Sequence, residues 1–390
     1  MFPVRNWVFL LALVVPALAA AESRVFIVAA VDGSDPGPGP ILARAGQTVS
    51  LYAVVVDGKG ARSRFITDAP TLTVGGRKVS AARISRPDPA WTFGWSQVEP
   101  HPHHVAVPPP NPGNPAYSNA ILFGPQHGRW LGYDTIEYHE TVVPNATTSR
   151  LVVTRATPTH PNVNIHDGLG TMRYKVTVKG PGFTASSPGE DDLEGHGISR
   201  RVMRIGFRHG DDLPGWMTTF FNVPNVFGSG GSHTQHQTDL FQGADCADVI
   251  VGALRVAGVT LPYSSVKGLS SHARPVTPRL FMNAGGVFVF VDGHPGDPVR
   301  LAFGTNVRSG DLMLIDYVGP AASPRTWDHV AVVAADVGKA GEFDPEDRVM
   351  HMGYLYGLAD EPAKSQAPAI VQFLRFKPEI QARLAPRPKR

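Results

Sequence analysis

The chain has one cysteine, Cys246, in 390 residues, and that scarcity excludes several classes of protein. A single thiol forms no internal disulfide and completes no cysteine-rich metal site. It is left as a buried apolar side chain, a link between chains, or a reactive group. Charge surplus is also small, since 36 Lys and Arg stand against 33 Asp and Glu for a formal +3. Much of the basicity sits in the last residues, "RLAPRPKR", which read as a solvated tail. No nucleic-acid motif is present, so a nucleic-acid partner is not expected. Apart from the first residues, no apolar run approaches the roughly 20 residues of a membrane-spanning helix. The glycines of 179–197 follow no GK[ST] pattern, which argues against a phosphate loop.

What is present begins with "MFPVRNWVFLLALVVPALAAAES". Arg5, an apolar run over residues 7–15 and small residues in an Ala-x-Ala pattern are the layout of a cleavable signal peptide, assigned to 1–21. The expected location is therefore periplasmic or secreted. No cysteine follows the cleavage region, so no lipoprotein-type anchor is expected.

Residues 22–180 read as a β-sandwich domain, all-β and immunoglobulin-like in architecture. "TVSLYAVVV" (48–56) alternates Val49, Leu51, Ala53 and Val55 to one face, and "TMRYKVTV" (171–178) sets Met172, Tyr174, Val176 and Val178 against Arg173, Lys175 and Thr177. Several such runs separated by Gly, Pro and Asp suit two packed sheets. The proline-rich stretch 99–115 reads as a surface excursion. Its His101, His103 and His104 match no closed metal site, so no metal is expected there. Gly, Ser, Pro and acidic residues at 181–197 read as a linker. Residues 198–380 then form a second domain, and 381–390 the basic tail.

The cysteine lies in "GADCADVIVGALRVAG" (243–258). Asp245 suits an N-cap, Val249, Ile250, Ala253, Leu254 and Ala257 recur at helical spacing, and Gly258 suits the position after the helix. A helix over 246–257 therefore carries the thiol in its first turn. There the helix dipole stabilises a thiolate, while Asp245 and Asp248 oppose it, so a basic partner is required. "SGDLMLIDY" (309–317), "WDHVAVVAADVG" (327–338) and "DRVMHMGYLY" (347–356) read as three consecutive strands, the second led by His329 and the third carrying His351. An antiparallel sheet packed on the helix, an α+β arrangement, would set the two histidines side by side facing the helix start.

The order "VPNVFGSGG … DCADVIVGALR … GDLMLID … DHVAVV … HMG" resembles the NlpC-type cell-wall peptidases and their CHAP amidase relatives, a papain-like branch of cysteine hydrolases. The resemblance covers roughly 220–356. It implies a papain-like α+β second domain, Cys246 as nucleophile, His329 as general base and acid, and His351 as the residue that orients His329. It places Asn225, where the family commonly has tyrosine, at the oxyanion or substrate groove beside Asp245. It implies amide hydrolysis in peptidoglycan or other peptides, with no cofactor. The residues between Cys246 and His329 exceed what a compact member needs and are expected to add a hairpin or lid.

Other readings stay open from sequence. His351 also suits a hydrogen-bonded core position, and His233, His236 and His272 stand near enough in sequence to replace either histidine. "ADCADVIVGALRVAGVTLP" is similar as well to the helix of transglutaminase-like proteins, which would require an Asp where this chain has His351. A third possibility is a non-catalytic wall-binding scaffold.

Overall fold

A computed structural model describes residues 24–58, 63–84, 90–100, 136–159, 167–226, 228–230, 236–318, 327–353 and 357–384. The proposed signal segment, the histidines at 101–104, His233 and residues 385–390 of the tail lie outside them. The described chain is β-rich, with several sheets and few helices.

Two sheets pack face to face in the first half. One runs Arg24–Val31, Val49–Asp57, Arg64–Thr67 and Ala81–Ala82, with Arg150–Val153 also on Val49–Asp57. The other runs Ile41–Arg44, Met203–Arg208, Gly170–Gly180, Thr92–Pro100 and Tyr138–Val142, with Phe183–Ser186 added to Gly170–Gly180. Ile27, Leu51 and Val55 from the first meet Trp95, Tyr174, Val176 and Phe207 from the second. The alternation at 171–178 holds, with Met172, Tyr174 and Val176 in that core. Strand Val49–Asp57 differs from expectation because both of its faces are buried. Tyr52 and Val54 face a separate cluster with Ala69 and Leu72, so the segment after the strand folds back over it.

The stretch 181–197 is not a linker. Phe183–Ser186 pairs with the end of Gly170–Gly180, and Leu193–Glu194 pairs with Gly197–Ile198. Its glycines serve tight turns, with Gly182 at φ +79° and Gly195 at φ +64°, where an L side chain is strained. Strand Met203–Arg208, which sequence assigned to the second half, is an antiparallel neighbour of Gly170–Gly180 and a parallel neighbour of Ile41–Arg44. The first half's sheets therefore extend past the sequence boundary at 180.

The second half is built on a nine-stranded sheet. Its central order is Ala369–Phe376, Leu312–Tyr317, His329–Ala335, Arg348–Gly353 and Gly357–Pro362. The insert between the cysteine and His329 adds Leu280–Asn283, Gly286–Val291 and His294–Pro298 to one edge, so it extends the sheet. Pro295 and Pro298 on the outermost strand lack N–H donors and blunt that edge. Helix Cys246–Val256 packs Val249, Ile250, Ala253 and Leu254 onto Val330, Val332, Met350 and Met352. The opposite sheet face buries Met313, Ile315, Ala331, Val333, Val349 and Phe373. Among the described residues no helix is long and apolar enough to cross a membrane.

Candidate functional site

The candidate site lies where the cysteine helix starts beside strand His329–Ala335. Asp245 is the N-cap, and one carboxylate oxygen accepts from the N–H groups of Ala247 and Asp248 at 3.0 and 2.9 Å. Its other oxygen accepts from the N–H of Gly228 at 2.9 Å. Both oxygens are thus engaged in holding backbone, which makes Asp245 a cap and loop anchor.

Cys246 is the first residue of the helix, half-buried, with the N–H of Val330 donating to its sulfur. Burial pushes the thiol pKa up, and the neighbouring Asp245 and Asp248 carboxylates add to that shift. The opposition of Asp245 and Asp248 read from the sequence is thus joined by desolvation, which is the larger cause. Asp248, inside the same turn, accepts from the Ser229 hydroxyl at 2.8 Å and the Gly230 N–H at 2.5 Å. Burial, together with Asp245, pushes its pKa up to about 8.

His329 and His351 sit on neighbouring strands, both buried, with His329 Nε2 and His351 Nδ1 2.9 Å apart. Their rings meet edge to face at 4.9 Å between centroids. His351 Nε2 is 2.7 Å from the Glu361 carboxylate, on strand Gly357–Pro362. Glu361 is held at a pKa of about 2, chiefly by that hydrogen bond, with the Ser365 hydroxyl and the Gln366 amide also donating to it. An ionised carboxylate only accepts, so His351 donates to Glu361 from Nε2, and its Nδ1 meets His329 Nε2. Burial first, and the His351 ring second, hold the His329 pKa well below its usual 6.5.

Strand alternation refines the expected arrangement. Val330 and Val332 pack under the helix, whereas His329 takes the register face of Ala331 and Val333. The histidines are side by side, but the strand register turns both away from the face that packs the helix, so they do not face the helix start as expected, and the thiol meets their strand at the Val330 backbone. Tyr317 completes the surroundings, its ring 6.2 Å from that of His329 and its hydroxyl donating to Gln366 Oε1 at 2.5 Å.

Asn225 is placed near the helix start by backbone pairing, with Val226 N–H donating to Ala244 and Ala244 N–H to Pro224, each at 3.0 Å. It is 2% exposed and its carboxamide oxygen makes no hydrogen bond. His236 packs against the Tyr263 ring, and His272 follows helix Val266–Ser270, so both lie outside the His329–His351–Glu361 chain. Glu361, Gln366 and Tyr317 were missed by sequence reasoning. The available signal was an acid on the strand after the one carrying His351, which becomes meaningful only with the strand register. Among the described residues no cluster of three or more His, Cys, Asp or Glu is arranged to hold a metal ion.

Compared with protein-family models, with curated proteins and with solved structures, the chain matches none.

Proposed function

We propose that this chain is an exported thiol hydrolase that cleaves amide bonds, with cell-wall peptides as the substrate class. On this reading the second half is a papain-like domain of NlpC type and the first half is immunoglobulin-like. The observation that carries the proposal is the buried chain Glu361, His351, His329 ending at the strand that contacts the Cys246 thiol.

The resting pair is a neutral thiol and a neutral imidazole, given an elevated cysteine pKa and a depressed histidine pKa. Proton transfer therefore accompanies attack rather than preceding it. The Cys246 sulfur adds to the amide carbonyl carbon as its proton passes to His329, whose strand contacts the thiol. The C–N bond then breaks, the proton goes to the leaving amine, and a thioester remains. Water, deprotonated by His329, adds to the thioester and releases the acid and the thiol. Each time His329 gains a proton, the Glu361 carboxylate offsets the charge through His351, as the third member of a triad does. The Cys246 backbone N–H, at the first position of the helix, has no intrahelical acceptor and suits the oxyanion. The chemistry requires no cofactor or metal.

The test is release of new amino groups from purified peptidoglycan peptides by the wild type, Cys246→Ala and His329→Ala. Loss of turnover by about 10³-fold or more in both variants is expected. Turnover that survives Cys246→Ala would refute the proposal and return the chain to a wall-binding role.

A further inference from the structure

The outer face of the sheet that contains Gly170–Gly180 carries two arginines in direct register, Arg173 and Arg204. Arg173 is 3% exposed and donates to the carbonyls of Phe241 at 2.7 Å and Leu240 at 3.2 Å. The Arg204 guanidinium lies 3.8 Å from the centre of the Phe241 ring, and that of Arg173 5.5 Å from the Tyr138 ring. Two buried polar atoms in this cluster make no hydrogen bond, Arg204 Nη1 and the hydroxyl of Tyr138, a residue 8% exposed.

Two like charges on directly opposed residues repel, and burial adds a desolvation cost for each. Burial lowers the pKa of both guanidinium groups, that of Arg204 to about 9. Of the acids on the surrounding elements, Glu140 pairs with Lys175, Glu194 with Arg200, and Asp192 with Arg201 through one of its oxygens. The two unpartnered atoms of the cluster, Arg204 Nη1 and the Tyr138 hydroxyl, can both donate, and they stand beside two positive charges. An uncompensated pair of this kind is destabilising unless an anion accompanies it.

We propose that Arg173, Arg204 and Tyr138 form a binding site for a small oxyanion, either inorganic phosphate or a carboxylate. An oxyanion offers several acceptors, so it satisfies Arg204 Nη1 and the Tyr138 hydroxyl together while neutralising the guanidinium charge. Arg204, half-buried where Arg173 is fully buried, is the side from which the ion enters. The segment that Arg173 grips leads within a few residues to the Asp245 cap, so the ion would also fix the approach to the cysteine helix. The proposal is independent of whether the thiol is catalytic.

The test is thermal unfolding of the full chain in oxyanion-free chloride buffer, titrated with phosphate or with acetate at constant ionic strength. The wild-type Tm is expected to rise by roughly 2 °C for each tenfold increase in ligand above Kd. Arg204→Met removes this dependence and, in chloride alone, melts at or above the wild type because an uncompensated buried cation is gone. Tyr138→Phe, which keeps the ring under Arg173, shifts the response to about tenfold higher ligand. A response to acetate identifies a carboxylate ligand, and a response to phosphate alone identifies an inorganic one. A flat wild-type titration, with water satisfying these donors, overturns the proposal, as does an undiminished slope in both variants.

Discussion

Replacing Glu361 with Gln removes one charge from the histidine chain while keeping the shape of the side chain, and the structure fixes both the sign and the size of the effect. The carboxylate pKa falls from its ordinary 4.5 to about 2. At 1.36 kcal/mol per pH unit, that difference corresponds to about 3 kcal/mol of native-state stabilisation. The side chain is 34% exposed, and solvent screening reduces the figure to about 1–2 kcal/mol. Because the folded pKa is the lower one, the contribution is complete above about pH 5 and declines as pH falls through 4.5 toward 2. Urea unfolding of wild type and Glu361→Gln at pH 7 and pH 3 measures this directly. The expected gap is about 1–2 kcal/mol at pH 7 and less than half of that at pH 3. An equal gap at both values would show that packing, not the ionised carboxylate, is what Glu361 contributes, and its role in offsetting the histidine charge would fall with it.

The remaining predictions concern the cysteine helix. The Asp248 carboxyl, raised from 3.8 to about 8, disfavours folding progressively as pH rises between those values, because the unfolded chain ionises first. Asp248→Asn, which stays neutral, is therefore expected to be more stable than wild type at pH 8, with the difference closing toward pH 4, as read by denaturant melts. Alkylation of Cys246 in the substrate-free protein is expected to lag behind a free cysteine at every pH up to about 8.5 and to accelerate only above it. Fast labelling near pH 6 would contradict the burial and the acidic neighbours that raise this thiol. At Gly252, mid-helix, alanine normally gains about 1 kcal/mol. Here a Cβ would stand 2.7 Å from Phe220 Cζ and from Thr238 Cγ2, so Gly252→Ala is expected to cost about 1–3 kcal/mol in a urea melt. A stabilised Gly252→Ala would mean that the helix is not seated on Phe220.

Local patterns were legible wherever the physics is local. Asp245 as cap, the apolar spacing that follows and Gly258 at φ +87° delimit a helix observed at Cys246–Val256 with Ala257 as its C-cap. The three segments read as consecutive strands after the helix are observed at Leu312–Tyr317, His329–Ala335 and Arg348–Gly353, and with them the two histidines of the site. What failed depends on chain neighbours distant in sequence. A Gly, Ser and Pro-rich segment looks the same whether it is a free linker or the turns of short strands, and only pairing with Gly170–Gly180 decides which.

The same distinction runs through the chemistry. By itself the sequence determined that one thiol begins an amphipathic helix and that two histidines lead and occupy strands after it, because caps, periods and turns are written in neighbouring residues. Tertiary structure decided that Glu361 anchors the histidine pair, since that contact exists only through the register of strands Arg348–Gly353 and Gly357–Pro362. It also added the desolvation that raises the thiol pKa and brought Arg173 opposite Arg204. Desolvation and charge proximity are properties of packed space, and no local pattern encodes them.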